Sequence, residues 1–545
     1  MKNLLLISFN VVRDKEPKTP YSIAALMASL KSDKRYGTVF EAKHFPINIR
    51  KKKYSAAQVV EILQAQYQLD KFQFIAISDF VWCTALVIPV IKRLHEIGWK
   101  GKTIVGGCQP TSTPPDKIEE YYGEVDFVIK GFAEDSLLEL LTNEPAGQKV
   151  LFREPKYEIL PSVYLSKEIK LTDFQAMIRW ETKRGCAYKC DFCEWKNYNP
   201  KGRRFVDLPK ERLVAELELF KKHMIGKINV LDAEFNVGKQ YLGLLREMIR
   251  VPTVFSLQIR LELLNKKGGR EFLELCSMGG NIVLECGIQS IHEDELRFLG
   301  RHQRIDDMEK ALKQIRHYQI PFFVDLISRI PGQTNESLKE SLHFLHKCGV
   351  KRDRIRIYHL RVPRGSEMEK NKSEYGIIEE NETDVSPYGI PVVVGSNMLS
   401  KEGRIRLNRL EFALHPFPGS SFNDLGKAFS IRVFRIFEIG NTGSSRQILR
   451  ARSVRFYFRK RENEIDIRKH LLGLVSSLGG EKSRRLTADE LLFDSKEEEL
   501  TGPIFIRIGL NNLYSCLWRQ YSEDTESCNL FVRKIGAGDQ IENLL

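Results

Sequence analysis

No run of apolar residues in this chain is long enough to cross a bilayer as a helix. The longest, such as Ala85–Val90 and Ile282–Leu284, are soon interrupted by polar residues, so no transmembrane segment is expected. Cysteine is scarce as well: ten in 545 residues exclude a disulfide scaffold and predict a reducing, cytoplasmic setting. Seven of the ten (Cys83, Cys108, Cys276, Cys286, Cys348, Cys516 and Cys528) are scattered and read as small core residues. No repeat of solenoid length is visible. No RNA-binding signature accompanies the net charge of +14, part of which is local: Arg446–His470 holds nine Lys/Arg against three Asp/Glu. That stretch reads as a solvated face, and nucleic acid is not an expected partner.

A chain this long exceeds one core, and two to four domains are expected. The N-terminal MKNLLLISFNVV lacks a small-residue cleavage site and reads as a buried first strand. Across residues 1–145, strand patterns (Leu4–Phe9, Thr38–Phe45, Phe74–Ser78, Thr103–Val105, Asp126–Ile129) alternate with amphipathic ones (Tyr21–Leu30, Ala56–Gln66, Ala85–Ile97). Such alternation predicts an α/β, doubly wound parallel sheet of Rossmann-like type. Residues 146–174 read as a linker. From 175 to 365 the alternation restarts, with six strand patterns from Met177–Thr182 to Ile355–Leu360 and five helical ones between them. This predicts a partial TIM-type barrel of six parallel strands, with reactive groups at the strands' C-terminal ends. Residues 366–545 lose the rhythm and are expected to form an α+β region with an edge strand at Val454–Arg459 and another strand at Pro503–Ile508.

Three cysteines are not scattered. RGCAYKCDFCEWKN, from Arg184 to Asn197, places Cys186, Cys190 and Cys193 within eight residues, just after the first strand of the second series. Three thiolates can bind zinc or an iron–sulfur cluster. Structural zinc takes four ligands, and the nearest histidines, His223 and His292, are too remote for a local finger. A [4Fe–4S] cluster on three cysteines keeps one iron open to an outside ligand, and the spacing favours that reading.

Cys186-x3-Cys190-x2-Cys193, with Phe192 before the last cysteine, resembles the signature of the radical S-adenosylmethionine (SAM) superfamily. The resemblance implies that these cysteines ligate the cluster, that SAM binds its open iron and is cleaved to a 5′-deoxyadenosyl radical, and that Phe192 touches the adenine. LECGIQS resembles the family's fourth-strand segment and places Gln289 and Ser290 near the ribose or methionine part of SAM. DLISRIPGQT resembles the fifth, with Pro331 and Gly332 near the adenine. Arg260, ending SLQIR, suits the methionine carboxylate. Further upstream, IVGGCQPTSTPP and DFVIKGFAEDSLLELL resemble the cobalamin-binding domain of B12-dependent radical SAM enzymes and imply Gly106, Gly107, Pro110, Thr111 and Gly131 as corrinoid contacts. The loop RDKEPKTPYS carries Asp14 without a histidine two residues later, so cobalamin is expected without a histidine below the cobalt.

The resemblance implies methyl transfer to an unactivated carbon, or to phosphorus, of a small-molecule or peptide substrate, with electrons from a flavodoxin- or ferredoxin-type donor. The C-terminal region is expected to cap the mouth and select substrate, and Tyr188, Trp195 and Tyr198 either line that mouth or pack under the loop. The alternatives are a B12-dependent cyclase or rearrangement enzyme, a radical SAM RNA modifier, and a zinc-stabilised binding scaffold.

Overall fold

The computed structural model describes residues 1–397 apart from 13–15, 51, 198–204 and 382–387, together with six strands beyond residue 428. The chain divides into two compact units, Met1–Leu407 and Asn408–Leu545. No helix among the described residues is long and apolar enough to cross a membrane.

The first sheet contains β1 (Lys2–Asn10), β2 (Phe40–Asn48), β3 (Phe74–Ser78), β4 (Lys102–Gly106), β5 (Phe127–Ile129) and β6 (Val150–Leu151), all parallel, in the order β2-β1-β3-β4-β5-β6. Successive side chains of β1 enter opposite faces, as the pleat requires. Leu5, Ile7 and Phe9 join Val87, Val90 and Leu94 of the helix Thr84–Glu96 on one side. Leu4 and Leu6 join Met27, Leu137 and Leu141 on the other. Helices cover both faces, which is why β1 reads as a continuous apolar run. The strand order reverses between β1 and β3, and a doubly wound sheet leaves its ligand crevice at that point.

Residues 146–174, read as a linker, contain β6 and a packed crossing. Tyr164 is buried, meets Phe220 edge-on with centroids 4.9 Å apart, and its hydroxyl donates to the Arg179 carbonyl.

Next come β7 (Met177–Trp180), an antiparallel pair β8 (Lys183–Gly185) and β9 (Phe205–Asp207), then β10 (Lys227–Val230), β11 (Val254–Ile259), β12 (Ile282–Gln289), β13 (Phe322–Ser328) and β14 (Ile355–His359). The second sheet is parallel and runs in chain order, β7-β10-β11-β12-β13-β14. Amphipathic helices such as Lys210–Lys222 and Ile305–His317 connect its strands. A short hairpin, β15 (Ile378–Glu380) with β16 (Val392–Gly395), follows.

The second unit contains a four-stranded antiparallel sheet and a separate antiparallel pair. The expected edge strand at Val454–Arg459 is a central one instead. It lies within Ile448–Lys460 and pairs with Phe429–Gly440 on one side and Pro503–Gly509 on the other. Both its rows of backbone groups are engaged, so its aromatic and basic mixture does not mark an edge.

Candidate active site

The cysteine loop leaves the second sheet at β7 and is closed at its base by the β8–β9 pair. Its supports are charged and buried. Asp232, beyond the end of β10, accepts from the backbone N–H groups of Thr182 and Lys183 at 2.9 and 3.2 Å and from the Thr182 hydroxyl. Lys183 donates its ammonium to the carbonyls of Phe235 (2.9 Å) and Val237 (2.5 Å). Arg184, two residues before Cys186, is ion-paired with Glu181 at 3.0 Å and with Glu134 at 2.7 Å, and its guanidinium lies 4.6 Å from the Phe132 ring centroid. Burial raises the Glu181 pKa against the lowering influence of Arg184. Desolvated charges persist only when paired, so these contacts fix the loop's entry.

The middle of the loop is pinned from two later segments. The Asp191 N–H donates to the Leu299 carbonyl at 2.8 Å. The Asp191 carboxylate accepts from the N–H groups of Glu367 and Met368 at 3.0 and 2.7 Å. Phe192 packs beside Leu299, Ile330 and Met368 in a separate apolar cluster.

The thiols are close enough to perturb one another electrostatically: Cys193 acts on Cys186, and Cys190 on Cys193. Burial pushes the Cys193 thiol up to about 12, and burial with the adjacent Glu234 carboxylate raises Cys186 further. Cys186 donates its S–H to Glu234 at 2.8 Å, and that proton is the one a metal displaces. Cys190 is buried beside two guanidiniums. Arg260 donates to its sulfur at 3.9 Å, and Arg301 is hydrogen-bonded to it as well. Burial and the neighbouring Arg260 push Arg301 down to about 10. Glu262 pairs with Arg260, and Gln303 bridges Glu262 (2.8 Å) and Arg301 (2.9 Å). The face of Tyr188 lies 3.9 Å below the Arg260 guanidinium. Trp195 is half-buried, and Tyr198 lies outside the described residues.

Among the described residues, no three His, Cys, Asp or Glu side chains converge tightly enough to hold one metal ion. In an iron–sulfur cluster each thiolate binds a different iron, so the thiols need to surround a volume rather than a point. Soft thiol groups with cations beside the buried Cys190 suit such an anionic cluster.

Gln289, Ser290, Pro331 and Gly332 are brought together at the carboxyl ends of β12 and β13. Gln289 is buried with φ 71°, next to an irregularity in the β12–β13 register. The Ser290 hydroxyl donates to Glu295 at 2.6 Å, and the same carboxylate oxygen accepts from Gln333 Nε2 at 3.0 Å. Gln333 in turn receives the Arg329 N–H at 2.6 Å. Gly332 has φ 86° and lies against Phe298. The hydroxyl of Ser290 is thereby committed to holding the two strand ends together.

The first sheet contributes its own loop. Gly107 has φ 129°, and a Cβ there would lie 2.4 Å from the Asp79 carbonyl oxygen, so only glycine fits. Thr111 ties the turn together, donating to the Gly107 carbonyl at 2.6 Å and accepting from the Gly131 N–H at 3.0 Å. Gly106 and Pro110 lie in the same turn, with Pro110 buried. Among the described residues, and beside the likewise unpartnered Asp79 Oδ1, three further polar atoms here are buried without a hydrogen-bond partner: Asn10 Nδ2, Ser78 Oγ and Gln109 Oε1. They end β1, end β3 and follow β4 respectively, so two of them flank the switch point. Buried polar groups without partners are uncommon, and a ligand accounts for such a set. This mixed set of donors and acceptors fits a polar cofactor. Residues 13–15, in the loop after β1, lie outside the described residues.

This loop touches the cysteine loop. Gln109 Nε2 donates to Glu194 at 3.1 Å, and the Ser112 hydroxyl donates to its other carboxylate oxygen. Glu181, Glu194, Glu234, Glu295 and Arg301 are absent from the residues singled out by sequence, where Glu134 figures only as an acid opening a helix and Arg184 only as the start of the cysteine motif. The one available signal was LDAEFN, where Asp232, Glu234 and Asn236 follow a strand end at alternate positions.

Residues 180–345 match the Radical SAM superfamily model. Among curated proteins, the 2-(S-pantetheinyl)-carbapenam-3-carboxylate methyltransferase of Streptantibioticus cattleyicolor is 24% identical over 318 residues, 52% of this chain and 46% of its own length. The cobalamin-dependent radical SAM methyltransferase TokK of Streptomyces tokunonensis is 25% identical over 327 residues, 53% of this chain and 46% of its length. The chain thus spans about half the length of these relatives. Among solved structures, the radical SAM methyltransferase TsrM of Kitasatospora setae, with tryptophan and a SAM analogue bound, superimposes with a TM-score of 0.54 at 18% identity, covering 76% of this chain and 89% of that one. The shared feature is an α/β fold with parallel sheets, and the residues matched by the Radical SAM superfamily model contain most of the second sheet.

Proposed function

We propose that this chain is a cobalamin-dependent radical SAM enzyme that methylates an unactivated carbon, or phosphorus, of a small-molecule or peptide substrate. The observation that carries the proposal is the contact between a loop of three thiols, one buried and two half-buried, at one parallel sheet's edge and the unsatisfied carboxyl edge of another. Relatives named as methyltransferases support methyl transfer over cyclisation, rearrangement or RNA modification. Among the described residues no three His, Cys, Asp or Glu side chains are grouped as a mononuclear zinc scaffold would need.

In this reading residues 1–145 hold the corrinoid, 146–174 connect, 175–365 form the open six-stranded barrel, and 366–545 select substrate. When bound, the cluster, SAM and cobalamin supply radical generation and a transferable methyl group. The chain supplies position and shelter. Cys186, Cys190 and Cys193 hold the cluster, and Arg260 and Arg301 offset its negative charge. Asn236 holds the backbone of Arg260 at both its N–H (3.0 Å) and its carbonyl (2.9 Å), and the guanidinium it presents would exchange its Glu262 contact for the SAM carboxylate. Phe192, Gln289, Pro331 and Gly332 form the remaining SAM wall, with Ser290 holding the two strand ends. Gly106, Gly107, Pro110, Thr111 and Gly131 shape the corrinoid turn. A flavodoxin- or ferredoxin-type protein supplies electrons.

The test is iron, sulfide and corrinoid content after anaerobic purification with cobalamin, followed by SAM-product analysis. About four irons, four sulfides and one corrinoid per chain are expected. Zinc without sulfide would overturn the reading.

A further inference from the structure

We propose that Glu194 is a positioning residue that couples the iron–sulfur site to the corrinoid site, so that filling one tightens the other. The inference rests on the reading above and adds a device to it.

Glu194 directly follows Cys193, so the cluster fixes where its backbone lies. Its two carboxylate oxygens are both used, and both receive donors from a single turn of the other sheet: Gln109 Nε2 at 3.1 Å and the Ser112 hydroxyl. Gln109 and Ser112 are buried, so these charge-assisted bonds are shielded from water. The same turn contains Gly107, Pro110 and Thr111. Gln109 also carries the unpartnered Oε1, so the side chain that meets Glu194 also has a free acceptor at the candidate corrinoid edge.

The loop's other flank is clamped in parallel. Arg184, two residues before Cys186, reaches Glu134 in the first turn of the helix Glu134–Asn143 at 2.7 Å. That helix follows Gly131, whose N–H is bonded to Thr111. The two flanks of the thiol loop therefore hold two neighbouring segments of the first sheet, the turn with Gln109 and Ser112 and the helix Glu134–Asn143, whose preceding Gly131 is bonded to Thr111.

Without a cluster the three thiols are held only by hydrogen bonds and packing, so Cys193 and the adjacent Glu194 keep a freedom that ligation to a common cluster would remove. Loading the cluster restricts Cys193, then Glu194, then the turn. A preorganised turn binds its ligand more tightly because the ordering cost has been met beforehand. Thermodynamic reciprocity requires the converse: bound corrinoid must tighten the cluster by the same factor.

The experiment is equilibrium dialysis of hydroxocobalamin against the full chain, before and after anaerobic cluster reconstitution. About tenfold tighter binding to the cluster-loaded protein is expected, within the usual range of coupling between sites. Ser112→Ala and Gln109→Ala leave the thiol loop's sequence intact. Combined, they should keep about four irons per chain while shrinking the tenfold difference towards one. Glu194→Ala should do the same, and chelator-induced iron loss from it should no longer be slowed by added hydroxocobalamin. Equal affinity of wild type with and without cluster overturns the coupling. So does a difference that survives in the Gln109/Ser112 variant. No measurable corrinoid binding by cluster-loaded wild type would instead refute the cobalamin reading, and the coupling with it.

Discussion

Deleting Arg184 should destabilise the first unit more than deleting either of its partners. Arg184 and Glu134 have side-chain exposures of 6% and 4%, and Glu181 has 8%, so solvent screens neither pair well. With an effective dielectric of about 20, a contact pair is worth about 4 kcal/mol before desolvation is counted. Arg184→Ala strands two buried carboxylates, and removing one partner of a buried pair costs about 3–5 kcal/mol. Glu134→Ala leaves Arg184 with Glu181 and should cost only about 1.5–3 kcal/mol, the range for a bond to a charged group. The pH dependence follows from Glu181, whose pKa burial already raises above its ordinary 4.5. Without Arg184 that pKa rises further. A carboxyl with a raised folded pKa binds more protons folded than unfolded between the two values, so stability falls as pH rises through that window. The deficit of Arg184→Ala should therefore be smallest near the ordinary carboxylate pKa and grow above it. Urea titration of the cluster-free protein, followed by hydrogen exchange over residues 177–193, measures this at several pH values. A deficit below about 1 kcal/mol at pH 8, or one that shrinks as pH rises, refutes the reasoning.

Other outcomes can be stated briefly. Gly107→Ala should cost about 1–3 kcal/mol and weaken corrinoid binding, because of its φ and the Asp79 carbonyl. Gly106→Ala, whose new Cβ would be 3.7 Å from Ile129, should be nearly neutral in urea midpoint. Arg301→Gln should lower the reduction potential of the cluster, since a buried cation beside Cys190 favours the more negative reduced state; a potentiometric titration read by electron paramagnetic resonance checks the sign. In cluster-free protein, Cys193 should alkylate far more slowly at pH 8 than free cysteine, because its thiol is pushed up to about 12; the rate should climb with pH, and mass spectrometry follows it.

Sequence pattern located the two parallel series because apolar periodicity specifies buried faces. Ala56–Gln66 and Lys210–Lys222 coincide with observed helices, the first opened by a capping box on Ser55. The short elements β6, β8, β9 and β16 did not stand out, being two to four residues long. β8 is fully buried yet reads Lys-Arg-Gly, so its polarity points the wrong way until Glu134, Glu181 and Asp207 are placed around it. The cysteine loop was legible because its three cysteines are local in sequence. Its supports were not, since Glu234, Arg301 and Asp191's partners meet it from distant positions, where sequence carries no signal of pairing.

The attachment of Asp191 bears on the order of events during synthesis. Its carboxylate caps backbone groups 176 and 177 residues later in the chain, and its N–H needs the carbonyl of Leu299. A ribosome that has just released the cysteine motif has not yet made either partner. The loop therefore takes its final shape only after residue 368 has emerged, and chains cut short before that point should accept iron poorly even though all three cysteines are present. Cluster insertion is accordingly expected to be a late, post-translational step.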